Sequence, residues 1–451
     1  MSLREKIDSQ ASRVPAHEDL QASAQRAKSD MAQLKARMHI KLLEQLDLGA
    51  MERMPATALR TELKLLVEKL LDDEHLPINE TERRQLVVDI QDEVMGLGPL
   101  EPLLADSTVS DILVNGYAEV YVERAGRLEL TDVHFMDDRH LMKIIEKIVS
   151  RIGRRVDESS PMVDARLPDG SRVNAVIPPL ALNGPVLSIR RFAVTPLALT
   201  DVIGLGTLTV DMGRIIAGLV KGRVNILISG GTGSGKTTLL NIMSAFIPNN
   251  ERIITIEDAA ELKLQQPHVV RLETRAANVE GRGEVPPRAL VRNSLRMRPD
   301  RIVVGEVRGG EVLDMLQAMN TGHEGSMTTI HANGPRDALT RLENMVGMAG
   351  LAVAPRALRQ QIVSAISVVI QVSRLSDGRR KIVSIQEITG MEGEIIAMQE
   401  IFNFQQTGIA LDGTVLGQFR ATGIRPRFVE RLSVRGVVLP DDIFEPSRAS
   451  R

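Results

Sequence analysis

One segment of the chain has the residue types and spacing of a phosphate-binding loop. Residues 230–237 read GGTGSGKT, a complete G-x-x-x-x-G-K-[ST] string, between the apolar run 224–228 and a segment, 238–243, that can begin a helix. Glycines let backbone N–H groups approach phosphate oxygens without a Cβ in the way. The lysine of such a string reaches the β and γ phosphates, and the hydroxyl after it coordinates Mg²⁺. The sequence therefore predicts that the chain binds a nucleoside triphosphate. The residues expected to bind it are Gly230, Gly231, Thr232, Gly233, Ser234, Gly235, Lys236, Thr237 and Thr238.

Two apolar segments downstream of this loop, 252–256 and 301–305, each run into acidic residues. The acids are Glu257, Asp258 and Glu261 after the first segment and Glu306 after the second. Ligands of open α/β sheets bind beyond the carboxyl ends of the strands, so we expect both groups of acids near Lys236. Acids at that place hold Mg²⁺ and orient the attacking water; the alternative is that they are simply solvated. Many phosphate-loop proteins have Asp where this chain has Gly305, so the metal-holding acid is expected from the first group.

The segment 321–333, TGHEGSMTTIHAN, contains two histidines, His323 and His331. Its Gly, Ser and Thr residues suit a strand and loop that approach a ligand. We expect His331 to contact the γ-phosphate, and the alternative is a structural histidine. A zinc site is not favoured, because no third ligand is evident.

Together, these blocks resemble the secretion ATPase superfamily, which powers type II and type IV secretion and type IV pili. Within it, the chain is most similar to the CpaF/TadA-type ATPases of Flp (tad) pilus assembly. The likeness covers about residues 90–430. The segments that carry it are GPLEPLL at 98–104, VNG at 114–116, VDARLPDGSRVNAVIPPLALNGPVLSIRRF at 163–192, SGGTGSGKTTLLN at 229–241, IEDAAEL at 256–262, RMRPDRIVVGEVRGGE at 296–311, TGHEGSMTTIHAN at 321–333 and GQFRATGIRPRF at 417–428.

The resemblance implies roles that spacing alone does not give. Its Asp box corresponds to Glu257, Asp258 and Glu261, its Walker B acid to Glu306, and its His box to His323 and His331. Members work as homohexamers in which an N-terminal domain supplies arginines to the nucleotide; here these are Arg172 and Arg190, with Arg166 and Arg191 as neighbours. Arg296, Arg298 and Arg308 flank the Walker B strand, where packing and subunit contact are equally plausible.

The resemblance also implies the cofactors, partners and residue assignments of the site. The cofactors are ATP and Mg²⁺, and the partner is an inner-membrane platform protein. The catalytic residues expected are Lys236, Glu261, Glu306, His331, Arg172 and Arg190. The nucleotide would also contact Glu257, Asp258 and His323, and the metal would be held by Thr237, Glu257, Asp258 and Glu306.

Strands that alternate with helices in the second half of the chain predict an α/β nucleotide-binding core, preceded by an α+β domain and a helical N-terminal region, and the resemblance implies that this core is a RecA-like P-loop ATPase domain. The expected parts are a polar segment at 1–50, a helical region at 51–97, an α+β domain at 98–193, a linker at 194–208, the ATPase domain at 209–430 and a C-terminal tail at 431–451.

The overall composition narrows the class of protein. The 451 residues are 43% hydrophobic and 25% charged, with no cysteine and a net charge of −2. No apolar run suits a membrane span and no secretory leader is evident, so we expect a cytoplasmic protein that reaches the inner membrane through its partner. No nucleic-acid partner is expected, because strand-tracking proteins have basic grooves and aromatic platforms. A hexameric DNA-transfer ATPase remains the alternative; a small-molecule kinase lacks an evident acceptor site.

Overall fold

The computed structural model describes residues 34–35, 37–38, 41–42, 54–74, 78–124, 126–151, 154–191, 197–275, 277 and 282–446. The chain divides into two compact units, Met1–Phe192 and Ala193–Arg451. Most of the polar segment 1–50 lies outside the described residues. No helix in the described part of the chain is both long and apolar enough to cross a membrane.

The first unit begins with a helical part. Its helices are α1 (Ala56–Asp73) and α2 (Glu80–Met95). The second begins with a capping box, in which Asn79 and Glu82 each accept from the other's backbone N–H. The two helices bury leucines and isoleucines such as Leu63 and Ile90 against one another. Both helices lie within the expected helical region.

The rest of the first unit is an antiparallel sheet with one long helix. Its elements are a 3-10 turn (Gly98–Leu100), α3 (Glu101–Ala105), β1 (Val109–Asn115), β2 (Glu119–Arg124), β3 (Arg127–Leu130), α4 (Asp138–Ser150), β4 (Met162–Arg166), β5 (Arg172–Val176) and β6 (Val186–Arg190). The six strands lie in the order β3-β2-β1-β6-β5-β4. Alternate residues face a core that also takes the apolar side of α4, including Leu141 and Ile145. This is an α+β arrangement.

The second unit is built on a nine-stranded sheet in the order β15-β14-β13-β12-β7-β11-β10-β8-β9. Its strands are β7 (Ile226–Gly230), β8 (Ile253–Glu257), β9 (Val269–Glu273), β10 (Arg301–Val304), β11 (Met327–His331), β12 (Val368–Arg374), β13 (Arg380–Glu392), β14 (Ile395–Ile409) and β15 (Val415–Ala421). Its helices are α5 (Leu199–Gly204), α6 (Val210–Lys221), α7 (Lys236–Ser244), α8 (Pro287–Ser294), α9 (Glu311–Asn320), α10 (Pro335–Met348), α11 (Pro355–Ala365) and α12 (Phe428–Val434), with a 3-10 turn at Asp441–Phe444.

Six of these strands, β12 and β7 to β11, run parallel, while β13 to β15 continue the sheet antiparallel. The central strands are buried on both faces, which explains their unbroken apolar runs. All six parallel strands end at one edge of the sheet, and that edge carries the predicted site. The predicted RecA-like α/β fold is confirmed.

Two parts of the second unit differ from the expected organisation. The expected linker, 194–208, contains α5, and its Val202 and Leu208 are buried in the core of the unit. The expected tail, 431–451, also contributes to that core through Leu432, Leu439 and Phe444. Both segments contain closely spaced apolar residues. The fold buries these side chains, which a linker or a tail would leave exposed to solvent.

Candidate active site

The phosphate loop connects the end of β7 to the start of α7, and its shape requires its glycines. Gly233 and Gly235 have φ of +67° and +98°, in the left-handed region that favours glycine. A Cβ on Gly230 would lie 2.4 Å from the Val372 carbonyl oxygen of the neighbouring strand. Inside the loop, the Ser234 hydroxyl donates to the Gly231 carbonyl at 2.9 Å. The backbone therefore forms the compact turn that a phosphate-binding loop needs.

Lys236 is folded over this loop with only 7% of its surface exposed. Its Nζ donates to the carbonyls of Gly230 at 3.1 Å and Gly231 at 2.9 Å. The same atom lies 3.1 Å from Nε2 of His331. The lysine thus already lies within the loop and in contact with a neighbouring strand.

His331 connects the lysine to the acid of a third strand. It is the last residue of β11 and pairs in register with Gly230 of β7. Its Nε2 lies 3.1 Å from Oε1 of Glu306, which follows β10. Burial lowers the pKa of His331, Glu306 raises it and the Lys236 charge lowers it further, with a net lowering. Three strand ends thus bring an amine, an imidazole and a carboxylate together.

Arg308 joins the two groups of acids. Its guanidinium donates to Oε2 of Glu306 at 2.7 and 3.0 Å and to Oδ2 of Asp258 at 3.1 Å. Packing and subunit contact are the two roles that the sequence allows for this arginine. The structure shows that it neutralises two carboxylates of adjacent strands within one chain.

Glu257 is the last residue of β8, and one of its carboxylate oxygens is hydrogen-bonded to the backbone of the following turn. Its Oε2 accepts from the backbone N–H groups of Glu261 at 2.6 Å and Leu262 at 2.9 Å. Burial raises the pKa of Glu257, because only 5% of the residue is exposed. This carboxyl shapes the turn that carries Glu261, while its Oε1 is buried without a hydrogen-bond partner among the described residues, so the assignment of Glu257 as a nucleotide or metal contact stays a prediction.

The position of Glu257 also explains why this chain has Gly305 where many phosphate-loop proteins have Asp. A Cβ on Gly305 would lie 3.0 Å from Cγ of Glu257, which is closer than side chains normally pack. The Gly305 backbone N–H donates to the Ile256 carbonyl at 2.8 Å, so the two strand ends are held together. The glutamate of one strand occupies the space that a side chain on the other would need.

His323 was expected at the nucleotide, but the structure does not bring it to the phosphate loop of its own chain. It precedes β11, whereas His331 ends that strand. A strand of five residues spans about 16 Å, so the two histidines lie at opposite edges of the sheet. Nδ1 of His323 lies 2.9 Å from the Pro299 carbonyl oxygen, at the amino-terminal edge. This contact holds His323 at the turn before β10.

Arg380 contacts the phosphate loop, although no sequence motif predicted this contact. Its Nε donates to the Gly233 carbonyl of the phosphate loop at 3.0 Å. It begins β13, more than 140 positions along the chain from the loop, and only the pairing of β12 with β7 brings it there. No local motif marks this residue.

The candidate arginines of the first unit lie side by side across its sheet. Arg172 pairs with Arg190 and with Arg166, and Arg190 pairs with Asp111 on its other side. Arg166, Arg172 and Arg190 therefore form a row of three arginines on adjacent strands. The Arg191 side chain instead contacts the start of β1, where its Nη1 donates to the Val109 carbonyl at 3.1 Å.

The acids present fit Mg²⁺ that arrives with a nucleotide. Within the described residues, no group of three or more His, Asp or Glu side chains is arranged to hold a metal ion alone. Mg²⁺ does not require such a group, because it commonly takes one or two protein oxygens with substrate phosphates and water. Thr237 supplies a hydroxyl in the first turn of α7.

Comparison with known proteins identifies relatives. Residues 93–408 match the family model described as type II/IV secretion system protein. A putative conjugal transfer protein of Mycobacterium tuberculosis is 41% identical over 315 residues, which are 68% of this chain and 89% of that protein. The conjugal transfer protein TrbB of Rhizobium radiobacter is 34% identical over 64% of this chain and 86% of its own length. The crystal structure of the VirB11 ATPase of the Brucella suis type IV secretion system is 30% identical, covering 64% of this chain and 92% of that chain, with a TM-score of 0.36.

Proposed function

The chain belongs to the type II/IV secretion system ATPase family, and from this premise we propose that it is the Mg²⁺-dependent motor for assembly of a Flp (tad) type IV pilus or a related secretion system. That the protein is an ATPase follows from the family. The pilus assignment rests on the likeness of the sequence blocks around the loop, the acids and the histidines.

The observation that carries this proposal is the contact series from Lys236 through His331 to Glu306. It joins the residue that binds phosphate to an acid that can orient water. Of the two glutamates expected to activate water, Glu306 is the one the described contacts connect to the lysine. We propose that it accepts the proton of the attacking water while the bond between the γ-phosphorus and the bridging oxygen breaks, releasing ADP and phosphate. Glu261, on the turn that Glu257 shapes, is the alternative group for orienting or activating the water.

The remaining roles in the site follow from charge. Mg²⁺ would be held by Thr237 with phosphate and water oxygens, and it would neutralise charge on the phosphates. His331 would respond to the γ-phosphate, because Lys236 must turn from His331 towards it. Asp258 and Glu306 would stay close to each other through Arg308.

We further propose a homohexamer in which Arg172 and Arg190 reach a nucleotide. Guanidinium groups stabilise charge that develops on a transferring phosphoryl group. Hydrolysis would change the angle between the two units, and the motion would pass to a platform protein in the inner membrane. The chain would therefore be a cytoplasmic protein held at that membrane by its partner.

Steady-state phosphate release tests the chemical part of the proposal. Lys236→Ala should abolish turnover, and Glu306→Gln should lower kcat by about 10²-fold or more while nucleotide still binds, because general base catalysis supplies about that factor. Glu324→Gln, which alters an exposed acid at the opposite edge of the sheet, is the matched control. Full activity of Lys236→Ala or Glu306→Gln would refute the assignment.

The names of two relatives favour a second candidate, an ATPase that takes part in DNA transfer. The net charge of −2 argues against direct contact with DNA, because such contact needs basic surface. ATPase measurements with single- and double-stranded DNA at several salt concentrations separate the two. Stimulation that falls as salt rises would favour the second candidate.

A further inference from the structure

The first residues of β13 contact the phosphate loop on one side. Nε of Arg380 donates to the Gly233 carbonyl at 3.0 Å, and Cδ of Arg380 would lie 3.5 Å from a Cβ on Gly235. A hydrogen bond from a charged donor is stronger than one between neutral groups. Arg380 therefore holds the loop at the two glycines whose left-handed backbone gives it its shape.

The next residue, Lys381, contacts a different part of the unit, because neighbouring residues of a strand point to opposite faces. Only 9% of Lys381 is exposed. Its Nζ lies 5.5 Å from the ring centre of Phe404 and 5.4 Å from that of Phe419, and it donates to the Gly206 carbonyl. Burial lowers the pKa of Lys381. The ammonium is thus enclosed by two aromatic rings and one carbonyl of the expected linker.

The same stretch of β13 holds the linker by its backbone as well. The Ile382 N–H donates to the Thr207 carbonyl at 2.9 Å. Gly206 has φ +67°, and a Cβ there would lie 3.2 Å from Nζ of Lys381, so glycine lets the two segments approach closely. Val202 and Leu208 bury this part of the linker in the core. Three consecutive residues therefore contact both the phosphate loop and the segment that follows the first unit.

We propose that residues 380–382 transmit the nucleotide state of the phosphate loop to the linker segment 199–208. Arg380 and Lys381 are positioning residues rather than catalytic ones. A nucleotide that shifts the loop at Gly233 would move Arg380, and a rigid strand would carry that displacement to the carbonyls that Lys381 and Ile382 hold. The inference rests on the proposed function, because a nucleotide-dependent movement of this segment has meaning only in a motor.

Amide hydrogen exchange of the full chain, with and without Mg²⁺ and a non-hydrolysable ATP analogue, tests the inference. In the wild type, bound nucleotide should slow exchange at residues 201–207 by about threefold or more, since local opening there would become less favourable. Two variants interrupt the path at different ends. Arg380→Ala removes the bond to the phosphate loop, and Lys381→Met removes the bond to the linker while keeping an apolar chain between the rings.

Both variants should bind the analogue and lose the nucleotide-dependent change at residues 201–207. Arg425→Ala, which breaks an exposed ion pair with Asp441, should behave as the wild type. A wild-type response in Arg380→Ala or in both variants, or no response in the wild type, would overturn the inference, and none of these results would bear on whether the protein hydrolyses ATP. Absence of ATPase activity from the wild type would instead overturn the proposed function.

Discussion

Arg301 carries a buried charge whose removal has a calculable effect. The residue is completely buried, and its Nε and Nη2 donate to the two carboxylate oxygens of Glu251 at 2.5 and 3.1 Å. Nη1 donates to the Val220 carbonyl at 2.8 Å. Glu251 is only 4% exposed, and its one other charged partner within the described residues is Arg223, which is 3.2 Å away. We predict that Arg301→Met strongly destabilises the second unit.

The magnitude follows from the carboxylate that the substitution leaves behind. Removing one partner of a buried ion pair costs about 3–5 kcal/mol, because the other charge stays buried without compensation. Arg223 continues to pair with Glu251, so the lower end, about 3 kcal/mol, applies. For a unit of this size each kcal/mol lowers Tm by about 2–4 °C, which gives a fall of about 6–12 °C. Differential scanning calorimetry of the full chain measures it.

A second variant separates the loss of packing from the buried charge. Arg301→Met combined with Glu251→Leu removes both charges, so the double variant should be about 1–2 kcal/mol more stable than Arg301→Met alone. Arg435→Ala, which disrupts an exposed pair with Glu324, should change stability by less than about 1 kcal/mol. A double variant less stable than Arg301→Met would refute this reasoning.

Three further predictions concern other parts of the molecule. Burial works against ionisation of Glu93, yet the hydrogen bond from His140 and nearby positive charge lower its pKa to about 2. Because the folded pKa is below the ordinary value of 4.5, this stabilisation is complete above pH 4.5 and is lost as pH falls towards 2. Glu93→Gln should therefore cost the first unit about 3 kcal/mol at pH 7, by denaturant unfolding, and the difference should shrink in acid. Gly305→Asp should destabilise the second unit by about 1–3 kcal/mol and lower ATPase activity, because its side chain would collide with Glu257; unaltered Tm and kcat would contradict this. His323→Ala should leave kcat within about twofold of wild type, and a loss of about 10²-fold would show that it acts in hydrolysis after all.

Much of the fold could be predicted because local patterns carry it. The apolar runs that end in the phosphate loop and the acids indicated buried parallel strands, and β7, β8 and β10 are such strands. The boundaries near Val202 and Leu432 were less predictable. A short segment of mixed polarity has the composition of a linker or a tail. Its burial becomes evident only when the core that it packs against is known.

The amino-acid sequence by itself determined that this chain has a phosphate loop, acids after two downstream strands and a histidine at the end of a third, because each depends on residue order within a short segment. Only the tertiary structure decided which of these groups lie next to one another at the phosphate loop. The direction of β11 brings His331 to Lys236 and leaves His323 at the far edge, and strand pairing brings Arg380 to the loop. Two backbone N–H groups engage one carboxylate oxygen of Glu257 in the turn after β8. Such distinctions depend on which strands are neighbours and which face a side chain takes, and neither property is local in sequence.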